Sequence, residues 1–468
     1  MAAIVALCRG EAFANGEVRA APTQDPPQAP PQGRAVTKVP NIEYERYRLD
    51  NGMEVILHSD RTVPLVAVDV WYHVGSGNET PGKSGFAHLF EHMMFQGAKH
   101  IGSDVHFDKL RKVGASSVNG TTNPDRTNYY EVVPSHHIET ALWLESDRMG
   151  YMLDLLGDAS LGNQRDVVRN ERRQRYDNVA YGSERFAVAA ALYPEGHPYR
   201  YLTIGRHEDI EDATVDDVRE FFLKWYVPSN ATLTLAGDFE LSEGRALVDK
   251  WFGSFPQLPR PSSEAPKTPS LTKTTRTVID DNFARLTRLH YVWVSPKNLA
   301  EGEAELEILS RVLAARGWGR LHRLLVIDEE VAQGVSVYQS GRGFSGEMHL
   351  VVSVKPGKTV AQVEPLIQRV LDEVQREPIT QAELDRVINL TESSFVWGLE
   401  ELLSRAERLQ YFNHYTGDPG YASKYLETLR TRTPESIRKV AAEVLGAPRV
   451  EIVTQPAPSK EPNKEPNK

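Results

Sequence analysis

Three side chains able to bind a metal and move a proton fall within five residues, His88-Leu89-Phe90-Glu91-His92. On a helix, residues four apart lie one turn apart on the same face, so the imidazoles of His88 and His92 can converge on one ion. Glu91, beside His92 and three from His88, stands at the rim of that face. It is placed to take a proton from metal-activated water rather than to ligate. The order is that of the H-E-x-x-H metal motif reversed. Two imidazoles do not complete a site, and a third ligand must come from elsewhere in the chain.

The flanking residues predict the helix that the motif needs. Ser84 is its expected cap, Phe86, Leu89, Phe90, Met93 and Met94 its apolar face, and Gly97 its end. Upstream, Tyr44 to Leu49 and Met53 to Leu57 read as a hairpin closed by Asp50-Asn51-Gly52. A strand at Leu65 to His73 then leads through Gly75-Ser76-Gly77 into the motif. Downstream, Ser103 is expected to cap a helix running to Lys112, followed by strands at Ser117 to Thr121 and Thr127 to Val133. Asn119, Thr121, Thr122, Asn128 and Tyr129 suit a partly open sheet edge, where an extended peptide could add as a strand beside Ser117, Val118, Asn119, Gly120 and Thr121. An ordinary solvated edge has the same composition.

Helical patterns follow at His136 to Leu155 and from Asn163 to about Tyr176. In the second, Val167, Val168 and Glu171 share a face, and a carboxylate on a core-facing stripe needs a partner. That partner is one of the nearby arginines, Arg169, Arg172, Arg173 or Arg175, or it is the metal. In the latter case two imidazoles and a carboxylate make a His₂Glu set with one position left for water.

At 468 residues the chain is too long for one ordinary core, and two to four domains are expected. A hydrophobic content of 40 % with 25 % charged residues is that of a globular protein. The formal charge of −10, without a basic cluster, argues against nucleic-acid binding. No apolar run approaches the length of a transmembrane helix. The one cysteine, Cys8, excludes an internal disulfide and a cysteine-based zinc site. Ala2 to Leu7 followed by Ala12-Phe13-Ala14 reads as the remains of an export leader ending in an A-x-A-type site, although its basic start is missing, and a Pro-rich linker follows. Export to the periplasm or beyond is the expected location, with the cytoplasm as the alternative.

His88 to His92, followed by Val167-Val168-Arg169-Asn170-Glu171-Arg172-Arg173-Gln174, resembles the pitrilysin/insulinase family of zinc metallopeptidases. The resemblance is to its short-chain branch, which includes mitochondrial processing peptidase and its bacterial relatives. Asn119-Gly120-Thr121-Thr122, His197-Pro198-Tyr199, Tyr226 to Ala231 and Ala236-Gly237-Asp238 extend it over roughly residues 44 to 455. It implies one Zn²⁺ per chain on His88, His92 and Glu171, with Glu91 as general base of peptide hydrolysis. Relatives often carry a second Glu seven positions before the ligand Glu. Here that position is Gln164, which can still hydrogen-bond a ligand histidine but supplies no charge.

The fold is expected twice. Trp225 to Gly237 and Val444 to Thr454 share the order helix end, proline, strand, about 220 residues apart. The expected divisions are a leader and linker at 1–40, a zinc-bearing domain at 41–254, a linker at 255–272, a zinc-less repeat at 273–455 and a disordered tail at 456–468. The repeat opens with a strand at Leu286 to Val294 and a helix at Glu301 to Ala315 that has no H-x-x-E-H. Gly341 to Gly346 reads as a flexible loop between strands. The fold class is α+β, each half a mostly antiparallel sheet packed by helices.

Active relatives present an Arg and a Tyr seven residues apart from the half facing the zinc. The matching positions here are Val326 and Gln333, with Arg323 and Tyr338 nearby at another spacing. The expectation is therefore a catalytic subunit of a heterodimer whose zinc-less partner supplies the Arg/Tyr pair, cleaving short or unfolded peptides. The alternatives are a non-catalytic scaffold of the same fold and a processing peptidase for one dedicated precursor.

Overall fold

The computed structural model describes residues 41–103 and 105–458. The leader and linker expected over 1–40, and most of the expected tail, lie outside the described residues. Two mixed sheets organise the chain, each with helices, so the class is α+β in two similar halves. The first sheet contains β1 (Glu45–Arg48), β2 (Glu54–Ser59), β3 (Leu65–Tyr72), β4 (Ser116–Thr122), β5 (Thr127–Pro134) and β6 (Ala231–Gly237), in the order β1-β2-β6-β3-β5-β4. All its pairs are antiparallel except β2 with β6. Its helices are α1 (Phe86–Met93), α2 (His106–Lys112), α3 (Ile138–Tyr151), α4 (Asp158–Arg172), α5 (Glu184–Leu192), α6 (His207–Glu211), α7 (Val215–Trp225) and α8 (Leu241–Phe252).

The second sheet contains β7 (Thr275–Asp281), β8 (Arg288–Ser295), β9 (Ala332–Ser340), β10 (Gly346–Val354) and β11 (Val450–Pro456), in the order β7-β11-β8-β10-β9. Here the single parallel pair is β7 with β11. The two orders superimpose strand for strand from β2 and β7 onward, with β1 as the extra edge of the first. Around this sheet lie α9 (Glu303–Ala314), α10 (Arg320–His322), α11 (Val360–Arg376), α12 (Gln381–Trp397), α13 (Leu402–Thr416), α14 (Ala422–Arg430) and α15 (Pro434–Leu445). Among the described residues no helix is long and apolar enough to cross a membrane.

Each half lends the other a helix. α13 packs on β3 and β6, where Leu402 and Ala406 meet Ala67 and Ala236. Gln410 Nε2 donates to the backbone carbonyls of Asp69 and Thr232 at 3.0 and 2.9 Å. In return α5 packs on β7 and β11, with Val188, Ala189 and Leu192 against Val292, Val450 and Ile452. This exchange explains why Val66 to Tyr72 of β3 are all buried: one face carries Val66, Val68, Val70 and Tyr72 into the main core, and the other lies under α13.

Several local expectations are corrected. Ser84 does not cap α1; Gly85 holds that position at φ 87°, and Ser84 bonds to Asp209 instead. Val105, not Ser103, precedes α2. β4 is an edge strand but β5 is not, because it pairs with β3 as well, so Asn128 and Tyr129 are buried. Val167 is exposed; the buried stripe of α4 is Leu161, Gln164 and Val168. Before β8 stands β7, whose mostly exposed residues give no alternating signal. The glycine-rich turn at 341–346 is pinned, with Gly343 N donating to Asp125 and Phe344 N to the Tyr199 hydroxyl, at 2.9 and 3.1 Å.

Candidate metal centre

α1 is started by backbone and carboxylate chemistry. A Cβ at Gly85 would lie 2.7 Å from Ile210 Cδ1 and 2.9 Å from Gly205 Cα, and its φ is left-handed, so glycine is required. The amides of Gly85 and Ala87 donate to Glu79 at 3.0 and 2.8 Å, placing an acid at the positive end of the helix. Phe90 turns inward against Phe221, Phe222 and Tyr226, with ring centroids 5.7, 5.6 and 4.2 Å away. Burying that face leaves His88 and His92 on the side that meets α4.

The two imidazoles stand nearly perpendicular, with centroids 4.7 Å apart. Glu171 Oε2 lies 3.7 Å from His88 Nε2 and 3.3 Å from His92 Nε2. One donor atom from each of the three residues falls within 4.8 Å of the others. Glu171 Oε1 meets Arg175 one turn on, at 2.5 Å. Both partners considered for this carboxylate are thus engaged, Arg175 by one oxygen and the histidine pair by the other.

The protonation states suit ligation. Burial, followed by His92, lowers His88 to about 4, so its ring is neutral near pH 7. Burial alone would raise Glu171, but His92, His88 and Arg175 outweigh it and hold the group at about 2. Gln164 Oε1 lies 3.3 Å from His92 Nδ1, on the far side of that ring. Two imidazoles, one carboxylate and an amide steering a ring nitrogen fit a divalent zinc ion.

Glu91 does not join the three donors. Its Oε2 accepts a hydrogen bond from Thr122 Oγ1 at 2.6 Å, and its side chain runs along β4, where a Cβ on Gly120 would stand 3.2 Å from Glu91 Cγ. Burial raises its pKa, against Thr122 and His92, which lower it. Ser117, Val118, Asn119, Gly120 and Thr121 all lie on β4, whose pairing with β5 leaves its other edge open. Ser117 adopts φ 52° within a register shift between Ser116 and Asn119. Thr122, one residue beyond the expected substrate strand, was read as part of the open edge but not as a partner of Glu91, and Glu79, in the loop before α1, was not singled out from sequence. The Thr122 signal is its place two residues after Gly120; Glu79 has no local signature.

The second half lacks this donor set. Gly302 starts α9 at φ 89°, as Gly85 starts α1 at 87°, and the same offsets lead to Glu305, Ile308 and Leu309. Glu305 pairs with Arg432 at 2.8 Å, and Ile308 and Leu309 are buried. Of the residues weighed for substrate contact, Val326 is half-buried and Gln333 exposed. Arg323 reaches Asp328, and Tyr338 stacks on His349 with centroids 4.6 Å apart. A further group of ligand types, His106, Glu131 and Glu145, is buried, but Arg148 grips Glu145 with Nε and a second guanidinium nitrogen and already supplies a cation there.

Comparison with known proteins places these features in context. The family description for insulinase (peptidase family M16) matches residues 54–186, and that for the peptidase M16 inactive domain matches residues 212–391. Zinc protease PqqE of Helicobacter pylori is 29 % identical over 366 residues, 76 % of this chain and 80 % of that protein. The uncharacterized zinc protease YmxG of Bacillus subtilis is 26 % identical over 370 residues, 78 % of this chain and 86 % of that one. The crystal structure of a protease from Helicobacter pylori has a TM-score of 0.82 at 24 % identity, covering 89 % of this chain and 100 % of that chain. The first half of the periplasmic protease PqqL from Escherichia coli has a TM-score of 0.74 at 18 % identity, covering 89 % and 93 %. At these identities the structural likeness speaks for the fold.

Proposed function

The chain belongs to the insulinase (M16) family of peptidases, and from that premise we propose that it is a zinc-dependent endopeptidase with one metal on His88, His92 and Glu171. The observation that carries the reading is the meeting of His88 Nε2, His92 Nε2 and Glu171 Oε2, with Glu91 held apart from them by Thr122. Zinc bound to such a set supplies Lewis acidity and lowers the pKa of water toward about 7. Glu91 Oε1, the oxygen that Thr122 leaves free, takes a proton from the attacking water and returns it to the leaving amine. Gln164 fixes the orientation of His92, and Arg175 that of Glu171. The open edge of β4 offers backbone groups along Ser117 to Thr121 for an extended peptide added as a strand, which selects short or unfolded substrates.

The absence of an Arg/Tyr pair at Val326 and Gln333 supports a divided site, in which a homologous zinc-less subunit supplies the groups that hold the substrate carbonyl. Export is the proposed location, on the leader-like N-terminus and on the likeness to a protein described as periplasmic. The test is cleavage of a quenched unstructured peptide by this chain alone and together with a zinc-less homologue from the same source. Cleavage that needs both chains supports the divided site; full activity of this chain as a monomer refutes it. Zinc bound without cleavage in either arrangement would favour the scaffold reading.

A further inference from the structure

A cavity of about 660 Å³ opens between the halves, away from His88, His92 and Glu171. Its wall includes Trp71 of β3, Glu303 and Glu307 of α9, Tyr411 and Tyr415 of α13, and Tyr425 of α14. Glu303 is 8 % exposed, and among the described residues its carboxylate has neither a hydrogen bond nor an ion pair. Burial, and after it the acids Glu307 and Glu305, push it up to about 7. Those two have cations of their own, Arg311 at 3.1 Å and Arg432 at 2.8 Å. The start of α9 gives Glu303 a partial positive charge, but no counter-ion.

The arginines at the cavity margin are engaged elsewhere. Arg126 donates to the Thr121 carbonyl and Asn128 at 2.9 and 3.0 Å and stacks on Trp71, while Arg408 lies over the Phe395 ring, 4.1 Å from its centroid. Tyr411 and Tyr415 direct their hydroxyls to Asn298 and Asp125, at 2.9 and 2.8 Å, and so contribute their rings to the wall. The Tyr425 hydroxyl has no partner among the described residues. Aromatic rings around an unpaired buried carboxylate form the setting that recognises organic cations.

We propose that this cavity binds a guanidinium or ammonium group, with Glu303 as its charged partner and Tyr411, Tyr415 and Tyr425 as aromatic walls. The cavity also reaches Asn123, the residue directly after β4. A peptide laid along β4 therefore leads toward it, and the cation is a lysine or arginine side chain of that peptide. This second step rests on the peptidase reading above.

The test is calorimetric titration of the zinc-loaded full chain, in a Glu91→Gln background to prevent cleavage. The probes are acetyl-arginine amide, its uncharged isostere acetyl-citrulline amide, and unstructured peptides carrying one arginine or one citrulline. The arginine probe is expected to bind at least tenfold tighter than the citrulline probe, with the preference lost in Glu303→Gln and reduced in Tyr425→Leu. Equal binding of the two probes, or a preference that survives Glu303→Gln, would overturn the cation site. A melting temperature for Glu303→Gln at or above that of the parent excludes misfolding as the cause. An arginine peptide that binds no tighter than the free probe would overturn the assignment to a peptide side chain. Absence of cleavage with Glu91 intact, both alone and with a zinc-less homologue, beside retained arginine discrimination, would instead count against the peptidase reading and leave the cation site standing.

Discussion

Thr122 Oγ1 stands 2.6 Å from Glu91 Oε2 and donates to it, so the carboxylate proposed as general base is fixed by the same strand proposed to receive the substrate. A hydrogen bond to a charged group contributes about 1.5–3 kcal/mol. Thr122→Val keeps the shape and removes the donor. It is expected to lower kcat by roughly 10- to 100-fold with zinc content unchanged, measured by steady-state cleavage beside metal analysis. An unchanged kcat would separate Thr122 from the function of Glu91.

Gln164 touches the far nitrogen of His92 at 3.3 Å. Gln164→Ala is expected to weaken zinc binding by about 10- to 100-fold, as measured by competition with a chelator. Gln164→Glu, which adds the charge many relatives carry here, is expected to tighten it.

Gly85 begins the motif helix in a left-handed conformation, with no room for a side chain. Gly85→Ala should cost on the order of 1–3 kcal/mol in denaturant unfolding, from backbone strain and the contact with Ile210. Gly82, also at positive φ but with open space around its Cβ position, should lose less on the same substitution.

Glu347 is buried, which alone would raise its pKa, but Arg342, His349 and Tyr193 outweigh this and hold it at about 2. Its folded pKa lies below the unfolded value, so its contribution is full above about pH 4.5 and is lost as pH falls toward 2. Unfolding free energy should drop by a few kcal/mol, on the order of 3, across that interval. Glu347→Gln should flatten the dependence in the same pH range.

The meeting of His88, His92 and Glu171 was legible because each lies on a regular helix face. His88 and His92 are spaced by one helical turn, and Glu171 shares a stripe of α4 with Gln164 and Val168. The doubling of the fold was legible for a similar reason, since a helix end and a proline precede both β6 and β11. What escaped depends on distant partners. Glu79 caps α1 from a loop, and its role appears only once Gly85 and Ala87 point at it. β7 is largely exposed and exists as a strand because β11 lies beside it. The loan of α5 and α13 between halves leaves no periodic signal of its own, which is why Asn128, under the α13 residue Glu407 at 2.9 Å, read as an open edge. His290 and His349, 59 residues apart in the chain, meet at 3.0 Å across β8 and β10.

The most direct measurement is zinc per chain, determined together with peptide cleavage, for wild type, Glu171→Gln and Glu91→Gln, each alone and with a zinc-less homologue. The account predicts one zinc in wild type and in Glu91→Gln, little or none in Glu171→Gln, and cleavage by wild type alone of the three. Undiminished zinc in Glu171→Gln, or wild-type cleavage by Glu91→Gln, would contradict it.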